Sequence, residues 1–226
     1  MNGRPVIFFL LIVGIGGFWL YTLLEPGSVS LDSSPTLPSV EIRNYEGEDL
    51  SSFHDFRENS IKGPQIIQRD NYRLEVSGLV NRTISFSYQD IIEKFPSYKK
   101  VVKLNCVEGW DVIILWEGIL VRDLIRYAGV KPTANTIIFY AYDGYSTSFP
   151  LSYVMNNPIM MAYRMNNLTI PIERGFPFQL VAEDKWGYKW IKWITRIEIS
   201  DNDKYRGYWE SRGFSQDGDL NKGFFD

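Results

Sequence analysis

Between Val6 and Leu24 the chain reads VIFFLLIVGIGGFWLYTLL, with no charged residue anywhere in it. This stretch limits the fold more than any other feature. A helix over it spans about 30 Å, the thickness of a hydrocarbon core. Arg4 precedes it and Glu25 follows, so the positive-inside tendency places the N-terminus in the cytoplasm and the rest of the chain outside. A cleaved signal peptide would carry a shorter apolar region and an A-x-A-like site, and neither is present. Residues 1–25 are therefore expected to be an uncleaved single-pass anchor in the cell membrane, with the folded part on the extracytoplasmic side. The stretch that follows is rich in Pro and Ser and reads as a linker over 26–44. Residues 45–226 are left for one globular domain.

Within that domain, strand signals outnumber helix signals. NYRLEVSGLV alternates Tyr72, Leu74 and Val76 against polar neighbours and closes at Gly78, the pattern of a half-buried strand. SYQDIIEKFP places Ser87 at an N-cap with Asp90 behind it and Pro96 at the end, predicting a short helix. GILVRDLIRYAGV sets Leu120, Leu124 and Ile125 on one helical face, with Gly129 as C-cap. NTIIFYAYDGYSTSFPL is two β-prone runs joined by Asp143-Gly144, a two-residue hairpin signal, with Tyr145 directly after the turn. FPFQLVAEDKWGYKWIKWITRIEIS predicts a strand, a turn near Gly187, and a strand with Trp193, Thr195, Ile197 and Ile199 on one face. The tail RGYWESRGFSQDGD is aromatic and reads as an ordered covering loop. The expected class is α+β, a mixed β-sheet with short helices.

A formal net charge of −3, with no Lys/Arg cluster, argues against nucleic acid as a partner. The single cysteine, Cys106, and the single histidine, His54, are too few for a structural zinc site, which needs about four such ligands. A Cys–His nucleophile pair, and so a cysteine hydrolase, stays formally open, although His54 lies in the polar stretch SSFHDFREN. In VVKLNCVEGWD, Val102, Leu104 and Cys106 share one side of a period-two pattern that stops at Glu108. From the residues alone the thiol is either a small buried hydrophobe or a metal ligand. A strand end opening into a loop is a frequent place for chemistry, and a thiolate suits a soft or redox-active metal.

Several ordered motifs resemble one family. YRLEVSGLV, LNCVEGW, DGYSTSFPL, MAYRMNN, GFPFQLV and KWGYKWIKWI, in that order between Phe56 and Phe214, are similar to the molybdopterin-binding domain of the sulfite oxidase family. The nearest branch is that of the periplasmic methionine sulfoxide reductase catalytic subunits. The resemblance implies the sulfite-oxidase-type fold and a molybdenum–molybdopterin cofactor, a single pyranopterin without nucleotide. It makes Cys106 the thiolate ligand of molybdenum and Tyr145 the active-site tyrosine, placed to hydrogen-bond the transferred oxygen or to supply a proton. It assigns cofactor contacts to Asn59 and Ser60 in FRENSIKGP and to Trp190, Ile191 and Lys192, with Lys192 facing phosphate. Where the family commonly reads His-Gly-x-Pro-x-Arg, this chain has Arg174 and Gln179 at the first and last positions, which redistributes phosphate binding between them.

Sulfite is an anion, and sulfite oxidases carry arginines where this chain has acidic residues. Glu58, Glu108 and Asp111 would repel sulfite if they face the pocket. The resemblance therefore implies oxygen-atom transfer, reducing a neutral S-oxide or N-oxide, with sulfite oxidation disfavoured. No haem-attachment motif occurs, so electrons are expected from a separate electron-transfer protein, a membrane cytochrome or quinone-linked subunit. Little chain follows the domain, so the C-terminal dimerisation domain of sulfite oxidases is not expected. The alternative is a docking or sensory module that keeps the fold without catalysis, suggested by the altered Arg174/Gln179 pair.

Overall fold

Two five-stranded sheets and a small hairpin make up the β-structure, and their edges decide where the site lies. The protein is described here by a computed structural model over residues 40–225. The anchor read from Val6–Leu24, and the linker as far as residue 39, fall outside the described residues. Among the described residues, no helix is long and apolar enough to cross a membrane.

The small hairpin pairs β1 (Asn44–Tyr45) with β2 (Glu48–Asp49). Folded contacts begin ahead of it, because the Glu41 carboxylate accepts from the Phe53 amide at 2.8 Å and from the Ser52 hydroxyl at 3.0 Å. One sheet holds β5 (Tyr98–Asn105), β6 (Asp111–Leu120), β9 (Met160–Met165), β10 (Leu168–Thr169) and β11 (Gln179–Val181). It runs β10-β9-β6-β5, with β11 also paired to β9, and every pairing is antiparallel. The other holds β3 (Leu74–Gly78), β4 (Ile84–Phe86), β7 (Thr136–Ala141), β8 (Ser146–Pro150) and β12 (Ile194–Ser200), in the order β4-β3-β12-β7-β8. Here β3 and β12 are parallel while their neighbours are antiparallel, so this is the mixed sheet. The α-helices are short, α1 (Tyr88–Lys94), α2 (Val121–Ala128) and α3 (Leu151–Asn156), in keeping with the α+β expectation.

Local chemistry explains most of these elements. The Ser87 hydroxyl accepts from the Asp90 amide at 3.1 Å, and the Asp90 carboxylate accepts from the Ser87 amide at 2.8 Å; this reciprocal capping box starts α1. Helix α2 buries Val121, Leu124, Ile125 and Ala128 and ends at Gly129, whose φ of +73° suits glycine. Leu120, expected on that helix face, is the N-cap and closes β6 instead.

Strand β6 itself was not expected. Its run VIILW is buried on both faces, so it lacks the alternation that marks a half-exposed strand. Gly118 interrupts it at a bulge, where an added Cβ would lie 2.3 Å from the Met161 carbonyl oxygen of β9. The β7–β8 hairpin also differs from expectation. The Ala141 amide bonds the Tyr145 carbonyl at 2.9 Å, which leaves Tyr142, Asp143 and Gly144 as a three-residue loop with Gly144 at φ +91°. In β12 a bulge between Ile194 and Arg196 changes the phase, so Ile194, and not Thr195, is buried with Ile197 and Ile199.

Candidate cofactor pocket

Cys106 is the first residue past β5. The β5–β6 connection is closed by the Cys106 amide on the Trp110 carbonyl at 2.9 Å and by the Gly109 amide on the Cys106 carbonyl at 3.1 Å. That tight turn, with Gly109 at φ +83°, fixes the direction of the thiol. Cys106 is 6% exposed, and its side chain lines a cavity of about 310 Å³, within the range of small-molecule sites. The Asn59 side-chain amide donates to its sulfur at 3.6 Å. Burial pushes the thiol pKa up; the amides of Glu108 and Val107 and the Asn59 side chain oppose the rise, and the Glu108 carboxylate adds to it.

The other predicted site residues, Asn59, Ser60, Tyr145, Arg174, Gln179, Trp190, Ile191 and Lys192, line the same cavity. Their polar groups are engaged to different degrees. The Arg174 guanidinium lies against the Phe56 ring and donates to the carbonyls of Phe53 at 3.2 Å, Phe56 at 3.1 Å and Arg57 at 3.4 Å. It thereby pins the loop that carries Asn59. Lys192 pairs with Glu58 at 3.2 Å, and Ser60 donates to the same carboxylate through its amide at 3.0 Å and through its hydroxyl. Burial lowers the Lys192 pKa while Glu58 opposes the shift. The Trp190 indole N–H goes to the Lys185 carbonyl at 3.0 Å, and its ring meets Trp116 edge-on, so it both packs the core and walls the cavity. Gln179 is 3% exposed, and its side-chain oxygen has no hydrogen-bond partner. An orphaned polar atom on a cavity wall marks a place for a ligand donor.

Tyr145 directs its hydroxyl to the Tyr188 carbonyl. Burial, reinforced by the Glu210 carboxylate, keeps its pKa well above the ordinary phenol value, so it stays a proton donor. Three expectations need correction. Asp111 is exposed and pairs with Lys103 at 3.0 Å, and it does not line the cavity. Glu58 is absent from the lining and is tied to Lys192, whereas Glu108 does line the cavity and accepts from the Trp110 indole at 3.0 Å. His54 is exposed, lies tilted against the Phe53 ring and is not part of the cavity, which removes the cysteine-hydrolase reading.

Residues 61–209 match the oxidoreductase molybdopterin binding domain family. The chain belongs to that family. This molybdopterin-binding oxidoreductase is an enzyme of the sulfite oxidase family, on the side of the methionine sulfoxide reductase subunits. It is 31% identical over 149 residues to the uncharacterized oxidoreductase YuiH of Bacillus subtilis, covering 66% of this chain and 74% of that protein. To the protein-methionine-sulfoxide reductase catalytic subunit MsrP of Gluconobacter oxydans it is 25% identical over 199 residues, 79% of this chain and 62% of that one. The chain thus spans less than two thirds of that reductase subunit. Among solved structures, the sulfane dehydrogenase SoxCD from Paracoccus pantotrophus superposes with a TM-score of 0.60 at 24% identity, over 69% of this chain and 43% of that one. That likeness shows the fold.

The residues of the oxidoreductase's cavity fit a molybdenum–pterin group. Among the described residues, no cluster of three or more His, Cys, Asp or Glu could hold a metal. A metal here needs other ligands of its own, as a dithiolene-bound ion has. A soft thiol, an orphaned amide oxygen and a lysine on one cavity wall have the chemistry suited to a metal, a hydrogen-bond donor and a phosphate. Sequence reasoning did not anticipate Trp209 and Phe214, which also line the cavity; the aromatic content of the tail was the available signal. It also passed over Lys189 in the quoted motif WGYKWIK. Its ammonium is fully buried against the Glu210 carboxylate at 2.7 Å.

Proposed function

We propose that this enzyme reduces a neutral S-oxide or N-oxide by oxygen-atom transfer at a molybdenum–pterin centre anchored through Cys106. The observation that carries the reading is the chain's one thiol, buried at a strand end and opening on a cavity of about 310 Å³ beside an orphaned amide oxygen. When bound, the cofactor supplies the two-electron redox chemistry. For a sulfoxide the net reaction takes two electrons and two protons, breaks the S–O bond, and releases a thioether and water. The name of the MsrP relative supports the choice of a sulfoxide.

The chain's own groups would divide the remaining work. Cys106 ligates through its sulfur, and Asn59 with the amides of Val107 and Glu108 steadies the thiolate. Gln179 would accept from the pterin, and Lys192, partly offset by Glu58, would hold its phosphate. Arg174 acts by holding the 53–57 loop in place. Tyr145, kept protonated by burial, would offer its hydroxyl to the oxide in place of the Tyr188 carbonyl. Glu108 on the cavity wall disfavours sulfite. The pterin would be a single one without nucleotide. Electrons would come from a separate cytochrome or quinone-linked membrane subunit, met beside an anchor over Val6–Leu24 that keeps the domain extracytoplasmic.

The test compares wild type with Cys106→Ser for molybdenum per chain and for sulfoxide reduction with a reduced viologen dye as donor. Molybdenum close to one per wild-type chain and little in the variant is expected. Equal molybdenum in the two proteins overturns the assignment of the ligand.

A further inference from the structure

The lining of the cavity divides into two connected groups, and Cys106 touches both. On one side Asn59 meets its sulfur at 3.6 Å, and the neighbouring Ser60 leads through Glu58 to Lys192. This side is polar and charged. On the other side Gly187 backs onto the turn, where an added Cβ would lie 3.6 Å from Cys106 Cα. Tyr188 follows, and its ring meets Phe214 at 5.1 Å; Phe214 meets Trp209 at 5.0 Å. Tyr145 joins this group through its bond to the Tyr188 carbonyl and its ring contact with Tyr208 at 5.6 Å. The Tyr188 phenol is spent on the Ser215 carbonyl, and that of Tyr145 rests on the Tyr188 carbonyl until an oxide takes its place.

We propose that Trp209 and Phe214, both from the C-terminal tail, form the wall that receives the apolar arms of the substrate and select alkyl sulfoxides by the length of those arms. The inference rests on the oxide-reductase reading and names the substrate feature read by that site. Aromatic surface gains from contact with sulfur and methylene groups, and it offers an anion nothing in exchange for its lost water. The wall is rigid. Lys189 Nζ bonds the Glu210 carboxylate at 2.7 Å and the Gln216 carbonyl at 3.0 Å, so it grips the tail on both sides of Phe214. The same ammonium bonds the Ser148 carbonyl of β8 at 2.7 Å, and the Tyr208 amide bonds the Ser146 carbonyl at 2.9 Å, which fixes the tail to the mixed sheet. A surface held in place before the ligand arrives loses little freedom on binding.

The test uses the full-length chain purified with its metal and given no electron donor, so that sulfoxides bind without turnover. Binding of dimethyl sulfoxide and of butyl methyl sulfoxide is followed by tryptophan fluorescence, and molybdenum per chain is measured in parallel. Wild type is expected to favour the butyl compound by about tenfold or more. Phe214→Ala is expected to cut that preference to about twofold while the dissociation constant for dimethyl sulfoxide moves by less than about twofold. Phe214→Leu, which keeps apolar volume with little risk to folding, is expected to retain an intermediate preference. An unchanged preference in both variants, or equal weakening of both ligands, overturns the proposal. An alkyl preference in wild type without molybdenum sinks the oxygen-transfer reading and leaves the wall standing.

Discussion

The side-chain amide of Asn59 lies 3.6 Å from the sulfur of Cys106 and joins a loop ahead of β3 to the end of β5. Asn59 is exposed apart from this contact, so its removal should leave the fold intact. Outer partners of metal ligands commonly contribute about 10–100-fold in metal affinity or activity. Asn59→Ala is expected to lose the proposed sulfoxide reduction or molybdenum retention in that range, with an unchanged denaturant midpoint. Full metal content and full activity would remove Asn59 from the site.

Gln179 predicts opposite effects on stability and on cofactor content. Its buried, unpartnered oxygen costs free energy in the empty protein, and an apolar side chain of similar size would relieve that cost. Gln179→Leu is expected to raise the unfolding free energy of the metal-free protein by up to about 1 kcal/mol while lowering molybdenum per chain. Urea titration and elemental analysis of one preparation read both effects.

Lys189 and Glu210 are fully buried against each other, and Glu210 also accepts from the Thr147 hydroxyl at 2.5 Å. Burial lowers the lysine's pKa, and the Glu210 carboxylate counters the shift. Lys189→Met leaves a buried carboxylate without its counter-charge and is expected to cost about 3–5 kcal/mol. The double variant Lys189→Met/Glu210→Leu should recover most of that loss in chemical denaturation. If the single and double variants lose equal stability, the pair is not coupled.

Gly118 lets β6 and β9 approach closely, since an added Cβ would meet the Met161 carbonyl oxygen at 2.3 Å. Gly118→Ala is expected to destabilise the protein by about 1–3 kcal/mol, read as a lower thermal midpoint. An unchanged midpoint would mean that the bulge can open without cost.

The capping box of α1 predicts a pH dependence. Hydrogen bonds from the Ser87 hydroxyl, and then from its amide, hold the Asp90 pKa below its ordinary 3.8. A lowered native pKa contributes stability that is complete above the unfolded value and is lost as pH falls through the native one. Asp90→Asn is therefore expected to lower the urea midpoint at neutral pH, and its gap to wild type should close as the solution is acidified below the ordinary carboxylate range. A constant gap across that interval would contradict the assignment.

Local pattern made part of this structure legible in advance. The alternation around Leu74 and Val76, the Ser87/Asp90 cap and the strand end at Cys106 are each decided within a few residues, and each formed as read. Features decided by distant partners were not legible. The direction of Asp111 depends on Lys103 across a hairpin, and that of Glu58 on Lys192 far along the chain. The run VIILW hid β6 because burial on both faces removes alternation, and a bulge in β12 moved Thr195 off the buried face. The nine candidate residues line one cavity because motif order reports a common fold, while the tail wall has no local signature beyond its aromatic content.

The parallel pairing of Arg196 with Glu75 and of Ile197 with Val76 sets an order of events during synthesis. A nascent chain that has not yet released residue 200 from the ribosome has no central strand for its mixed sheet, and Lys192 and the tail are missing from the cavity as well. The chamber therefore comes into being only after Phe214 has been made, through a contact of very long sequence separation that closes slowly. Any prosthetic group must enter a domain whose last cavity residues are already in place, so maturation follows the folding of β12 and the tail instead of guiding the early steps.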